Sequence, residues 1–101
     1  MVTDVTSRQA QIDELCSRYG VRSLYLFGSA VRDALKEESD LDFLVEFDNP
    51  IVEGYFDRYF GLRESLEEMF GRSVDLVVES AIRNPYFRQS VEQTRVLLYA
   101  T

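Results

Sequence analysis

The chain contains no histidine. Zinc sites and imidazole-based acid–base or triad chemistry lean on that ring, so both are nearly excluded. Its single cysteine, Cys16, cannot close an internal disulfide. Beside Leu15 on a helical face, it reads as a small core residue in a reducing compartment. No apolar run approaches the roughly eighteen residues of a membrane span, and no basic leader precedes a hydrophobic segment. These absences argue against membrane and secreted readings and for the cytoplasm. Positive charge is scarce as well: 11 Lys and Arg face 18 Asp and Glu, a net charge of −7. A protein that grips a nucleic-acid backbone carries a basic patch, because phosphate neutralisation dominates that affinity. Direct nucleic-acid binding is therefore not expected. The balance favours a basic partner, or a small anion held through metal.

What is present fits one globular domain over residues 1–101, with 46% apolar and 29% charged residues. That length builds one core and not two. There is no repeat, low-complexity tract or domain linker. Residues 1–5 read as a loose terminus. Thr6 with Gln9 resembles a capping box, and Ile12, Leu15, Cys16 and Tyr19 recur at helical spacing until Gly20 supplies a stop. Val21 to Phe27 alternates as a strand, Leu24 and Leu26 facing one way, Tyr25 and Phe27 the other. After Gly28-Ser29 a short helix fits Ala30 to about Lys36, and Leu41 to Phe47 is a second strand. Asp48-Asn49-Pro50 breaks the pattern. A longer helix, Tyr55 to Phe70, carries Tyr59, Leu62, Leu66, Met69 and Phe70 on a core stripe and ends at Gly71. Ser73 to Val78 is a third strand. Asn84-Pro85 opens a helix running to about Thr94, with Asn as cap and Pro at the first position. Val96 to Tyr99 forms a last short strand. This αβαβαβα(β) order predicts a two- or three-layer α/β domain.

The segment LFGSAVRDALKEESDLDFLV, Leu26 to Val45, concentrates the chemistry. Residues two apart on a strand point the same way, about 6–7 Å apart, so Asp40 and Asp42 project together while Leu41, Phe43 and Val45 fill the core. In SVDLVVE, Asp75 likewise opposes Val74, Leu76 and Val78. If the second and third strands are neighbours, Asp75 joins Asp40 and Asp42 in one carboxylate cluster. Such a cluster repels itself unless protonated or metal-bound. Hard carboxylate oxygens suit magnesium, which shares its shell with substrate phosphates, and two such ions can clamp a phosphoryl displacement. Gly28 lets a backbone approach closely, and Ser29 begins a helix whose amides can hold a phosphate, its hydroxyl adding one donor. Arg32 reaches the same anion or pairs with Asp33, Glu37 or Asp40. Taken singly, each feature has a plainer reading. Gly28-Ser29 is then a strand-to-helix turn with Ser29 as cap, Asp42 and Asp75 are solvated, and Arg32 is a surface ion-pair residue. Glu37 and Glu38 read as a solvated turn, Glu46 and Glu79 as structural.

Gly-Ser, ten residues, then Asp-x-Asp is the motif of the DNA polymerase β-like nucleotidyltransferase superfamily. The chain most closely resembles its minimal nucleotidyltransferases, the MNT antitoxins of HEPN/MNT toxin–antitoxin pairs. The likeness covers the leading helix, LYLFGS, SDLDFLVEF, the long helix and GRSVDLVVE. One departure is Asp33, where many relatives carry glycine. The resemblance implies a small mixed β-sheet with helices packed mainly on one face, a polymerase β palm-like core. It implies a Mg-dependent transfer of AMP from ATP to a tyrosine hydroxyl of a cognate HEPN RNase toxin, in a hetero-oligomeric complex. Asp40 and Asp42 would hold two magnesium ions, and Asp75 the acceptor-side ion. Gly28 and Ser29, with Arg32, would hold phosphates. Larger relatives that modify antibiotics or extend nucleic acids carry extra domains for their acceptors, so here the acceptor brings its own surface. Two other classes stay open: an antitoxin that masks its toxin by contact alone, and a small-molecule nucleotidyltransferase.

Overall fold

The computed structural model describes residues 2–31, 40–49 and 54–101. Strands β1 (Val21–Phe27), β2 (Leu41–Phe47), β3 (Val74–Val78) and β4 (Val96–Ala100) form one sheet in the order β3-β2-β1-β4. β1 runs antiparallel to β2 and to β4, whereas β2 and β3 are parallel. A parallel pair needs a long crossover, and the helix α3 (Tyr55–Phe70) lies within it. The mixed sheet and the expected adjacency of the second and third strands are both present.

Period-two alternation sorts the strands into two faces. Leu24 and Leu26 of β1, with Leu41, Phe43 and Val45 of β2, join one buried cluster with Val5, Ile12, Leu15 and Cys16, and with Leu62 and Leu66 of α3. The helices contributing here are α1 (Val2–Thr6), α2 (Gln9–Arg18) and α3. Across the sheet, Phe27, Leu44, Ile82 and Val91 form a smaller cluster under α4 (Pro85–Thr94), with Tyr25 and Val77 against it. Helices therefore lie mainly on one face, and α4 covers part of the other. Cys16 is fully buried, and burial, with the nearby Asp13 charge, pushes its thiol up to about 12.

The boundaries of β1, β2, α3 and α4 fall where the spacing predicts. Gly71 closes α3 at φ +63°, and Asn84 Oδ1 accepts the Tyr86 and Phe87 amides at 2.9 and 3.3 Å to open α4. The third strand starts at Val74 rather than Ser73, and the last extends to Ala100. Two expectations fail. The segment read as a loose terminus contains α1, pinned by the fully buried Val5. The capping box does not form: Thr6 Oγ1 donates to the Thr3 carbonyl, and Arg8 precedes α2 with no side-chain cap. Gln9 instead donates to Asp13 Oδ1 at 2.7 Å and to the Leu98 carbonyl of β4 at 2.6 Å. After β1 comes a 3-10 turn, Gly28–Ala30, which starts two residues before the helix expected over Ala30 to about Lys36; most of that span lies outside the described residues.

Side chains of α3 meet the outer edge of β3. Tyr59 Oη donates to the Leu76 carbonyl at 2.6 Å, and the Val74 amide donates to Glu67 Oε2 at 3.0 Å.

Candidate active site

One end of the sheet gathers the C-terminus of β1 and the N-termini of β2 and β3. Phe27 is opposite Asp42, and Asp42 is opposite Asp75. Because paired residues on adjacent strands point to the same face, Asp42 and Asp75 stand side by side on the face that α4 only partly covers. Asp40 precedes β2 by one residue and is exposed, as is Asp75, while Asp42 is half-buried.

Gly28 follows β1 at φ +77°, a conformation that L side chains rarely adopt. Space imposes the same choice: a Cβ on Gly28 would stand 2.5 Å from Asp42 Oδ2. Glycine is thus required so that Asp42 can lie against the turn. The Val31 amide closes the turn on the Gly28 carbonyl at 3.1 Å. The Gly28 amide is not open to a ligand, since it donates to Thr94 Oγ1 at 3.2 Å. Any anion here takes its donors from Ser29 onward. Arg32 lies outside the described residues, as do Asp33, Glu37 and Glu38.

The electrostatics single out Asp42. Its carboxyl is pushed up to about 6, first by burial and then by the like charges of Asp75 and Asp40. Desolvation and repulsion both disfavour the anion, and a divalent cation would relieve both. The donor set agrees: carboxylates without histidine or cysteine suit magnesium. Among the described residues no three acidic side chains converge into a ready-made metal shell. That is compatible with an ion whose shell is completed by water and substrate phosphate.

Two residues near this site do more than their sequence reading said, Tyr59 while packing against the core as its stripe predicts. Tyr59, assigned to a core stripe, has its phenol pushed up, chiefly by burial, with Arg63 opposing and Asp75 adding to the shift. Thr94 was read only as a helix end, yet its hydroxyl meets Gly28. No local pattern announces a bond across 66 positions. Glu46 is paired with Arg22 at 3.8 Å, which agrees with a structural role.

The family model of the nucleotidyltransferase domain matches residues 8–98. A Methanocaldococcus jannaschii protein, named provisionally a protein adenylyltransferase, is 43% identical over 79 residues, 78% of each chain. Protein adenylyltransferase MntA of Thermococcus cleftensis is 42% identical over 71 residues, 70% of this chain and 69% of that one. A solved structure described provisionally as a minimal nucleotidyltransferase superposes with a TM-score of 0.75 at 30% identity, covering 93% of this chain and 92% of that one. A solved complex of a tri-AMPylated Shewanella oneidensis HEPN toxin with its MNT antitoxin gives a TM-score of 0.63 at 21% identity, covering 93% and 71%. That last likeness speaks to the fold.

Proposed function

The chain belongs to the nucleotidyltransferase-domain family, and from that premise we propose that it is a cytoplasmic antitoxin that transfers AMP from ATP to a tyrosine hydroxyl of a cognate HEPN RNase toxin. One observation carries the site: a half-buried carboxylate, Asp42, held between the Gly28 turn and two further carboxylates. The names of the relatives, protein adenylyltransferases, support AMP as the group moved. The AMPylated HEPN toxin seen with an MNT antitoxin supports the kind of acceptor.

In the reaction the acceptor oxygen bonds to the α-phosphorus, the bond from that phosphorus to the bridging oxygen breaks, and pyrophosphate leaves. Asp40 and Asp42 would hold two magnesium ions and Asp75 the acceptor-side one, and their chemistry is to neutralise the phosphates and acidify the acceptor hydroxyl. Ser29 donates its amide and hydroxyl to the β- and γ-phosphates. Asp75, exposed on the open face, would take the proton of a tyrosine, whose unperturbed pKa near 10 keeps it mostly protonated at neutral pH. A net charge of −7 suits a partner with a basic surface and speeds their encounter.

The test is the intact mass of the partner co-purified with wild type or with Asp75→Asn, with and without ATP and magnesium. Asp75→Asn keeps shape and loses charge. We expect it to bind the toxin, add no AMP and fail to protect cells at low antitoxin dose. Full protection without AMP on the partner would leave masking by contact as the function.

A further inference from the structure

The turn beside Asp42 is tied to the far end of the chain by one hydroxyl. Thr94 Oγ1 accepts the Gly28 amide at 3.2 Å, and it sits 3.2 Å from the Ser90 carbonyl one helical turn earlier. A threonine near a helix end bonding back to its own helix is ordinary. Here that bond uses the hydroxyl's only proton and leaves its lone pairs for the Gly28 amide. Thr94 is the last residue of α4, and β4 follows with Val96 opposite Leu26, so the hydroxyl rests on an element anchored in the sheet. From another side, Asp42 Oδ2 occupies the space a Gly28 Cβ would need. The glycine is held by a carboxylate and by a hydroxyl.

We propose that Thr94 is a positioning residue for the nucleotide: its hydroxyl fixes the Gly28 amide and thereby holds the Gly28–Ala30 turn ready for a polyphosphate chain. This rests on the nucleotide-binding reading above. Glycine at positive φ has other basins of similar energy, so an unanchored turn samples several conformations. Ligand binding must then order it, and that cost is taken from affinity. A part-buried amide without an acceptor also carries its own penalty, which the clamp removes. Contacts to the β- and γ-phosphates are made in the bound substrate as well as in the transition state. A looser turn therefore weakens both alike, raising KM and sparing kcat.

Three variants read this out. Thr94→Val keeps the shape and deletes the acceptor, Thr94→Ser keeps the acceptor and deletes the methyl, and Thr94→Ala deletes both. Amide exchange at Gly28 should quicken about tenfold in the valine and alanine variants. Their Kd for a non-hydrolysable ATP analogue with magnesium should rise about three- to tenfold, as expected for one neutral hydrogen bond. KM for ATP should rise in step while kcat stays within about twofold, and serine should restore wild-type behaviour. Faster exchange at Gly28 with wild-type Kd and KM would make the clamp structural only and overturn the proposal. Unchanged exchange would overturn it too, as would a serine variant as weak as valine. If wild type itself fails to bind the analogue, the nucleotide-binding reading falls and this inference with it, an outcome distinct from the others.

Discussion

The two ends of β2 both carry acidic residues, under opposite conditions. At the C-terminal end, Arg22 stands 3.8 Å from Glu46 and 3.1 Å from Asp48. Arg58 of α3 reaches the same corner, donating to the carbonyls of Tyr19, Gly20, Asp48 and Asn49, and its guanidinium lies over the Phe47 ring at 5.1 Å. At the N-terminal end, the charges that raise Asp42 are both negative, Asp75 and Asp40. The protein supplies its own cations where charge secures the fold. Among the described residues, charge at the other end is raised and crowded instead, an arrangement that a cationic ligand would improve, and that asymmetry supports the proposed working end.

The sharpest way to break the comparison is to neutralise the working end. Asp42→Asn should cut single-turnover transfer on the order of 10³-fold or more, since on the proposed mechanism it removes a metal ligand acting throughout the displacement. Its melting temperature should not fall, because a half-buried, repelled charge has gone. A variant that loses both activity and stability would mean Asp42 serves the fold as Asp48 does. Arg58→Met should do the reverse: urea denaturation should show a loss of about 2–4 kcal/mol, the scale of several charge-assisted hydrogen bonds, with transfer per folded molecule unchanged. Ser29→Ala should lower transfer by less than Asp42→Asn does, about 1–3 kcal/mol for one bond to a charged acceptor. Equal losses in single-turnover rate would show the two roles misassigned.

The smallest effect is a pH slope. The Asp42 carboxyl titrates at about 6 when folded, against an ordinary value of 3.8, so the folded state binds this proton more tightly than the unfolded one. The stabilisation is complete below the ordinary value and is lost as pH rises through about 6. In chelator, the melting temperature of Asp42→Asn should therefore gain on wild type between about pH 4 and 6 and then run level with it. A constant difference across that window would remove the case that Asp42 is strained by its neighbours.

The strands and the two long helices were legible because their signals are local. Period-two apolar runs bound β1 and β2, Gly71 stops α3, and Asn84-Pro85 starts α4. The Gly-Ser…Asp-x-Asp spacing was legible too, with Asp75 added once β3 was taken as the neighbour of β2. What escaped depends on distant parts of the chain. Val2–Thr6 is helical because Val5 docks in the core, which five residues rich in valine and threonine do not announce. Gln9 left its expected cap for a carbonyl of β4. The Thr94 bond to Gly28 exists only after α4 has crossed the sheet.

The contacts at the sheet's margins bear on how another protein can approach. A free strand edge is a template, offering a row of peptide groups that a partner or a second copy can extend. On β3, Tyr59 and Glu67 engage Leu76 and Val74 at the middle and start of the strand, and on β4, Gln9 takes the carbonyl of Leu98. At these positions the place of an incoming strand is filled by the protein's own side chains. Strand addition, whether by a partner protein or in self-association, is thereby discouraged at these positions. Recognition of a partner falls to side chains and their charge, which a chain so rich in carboxylates has in supply.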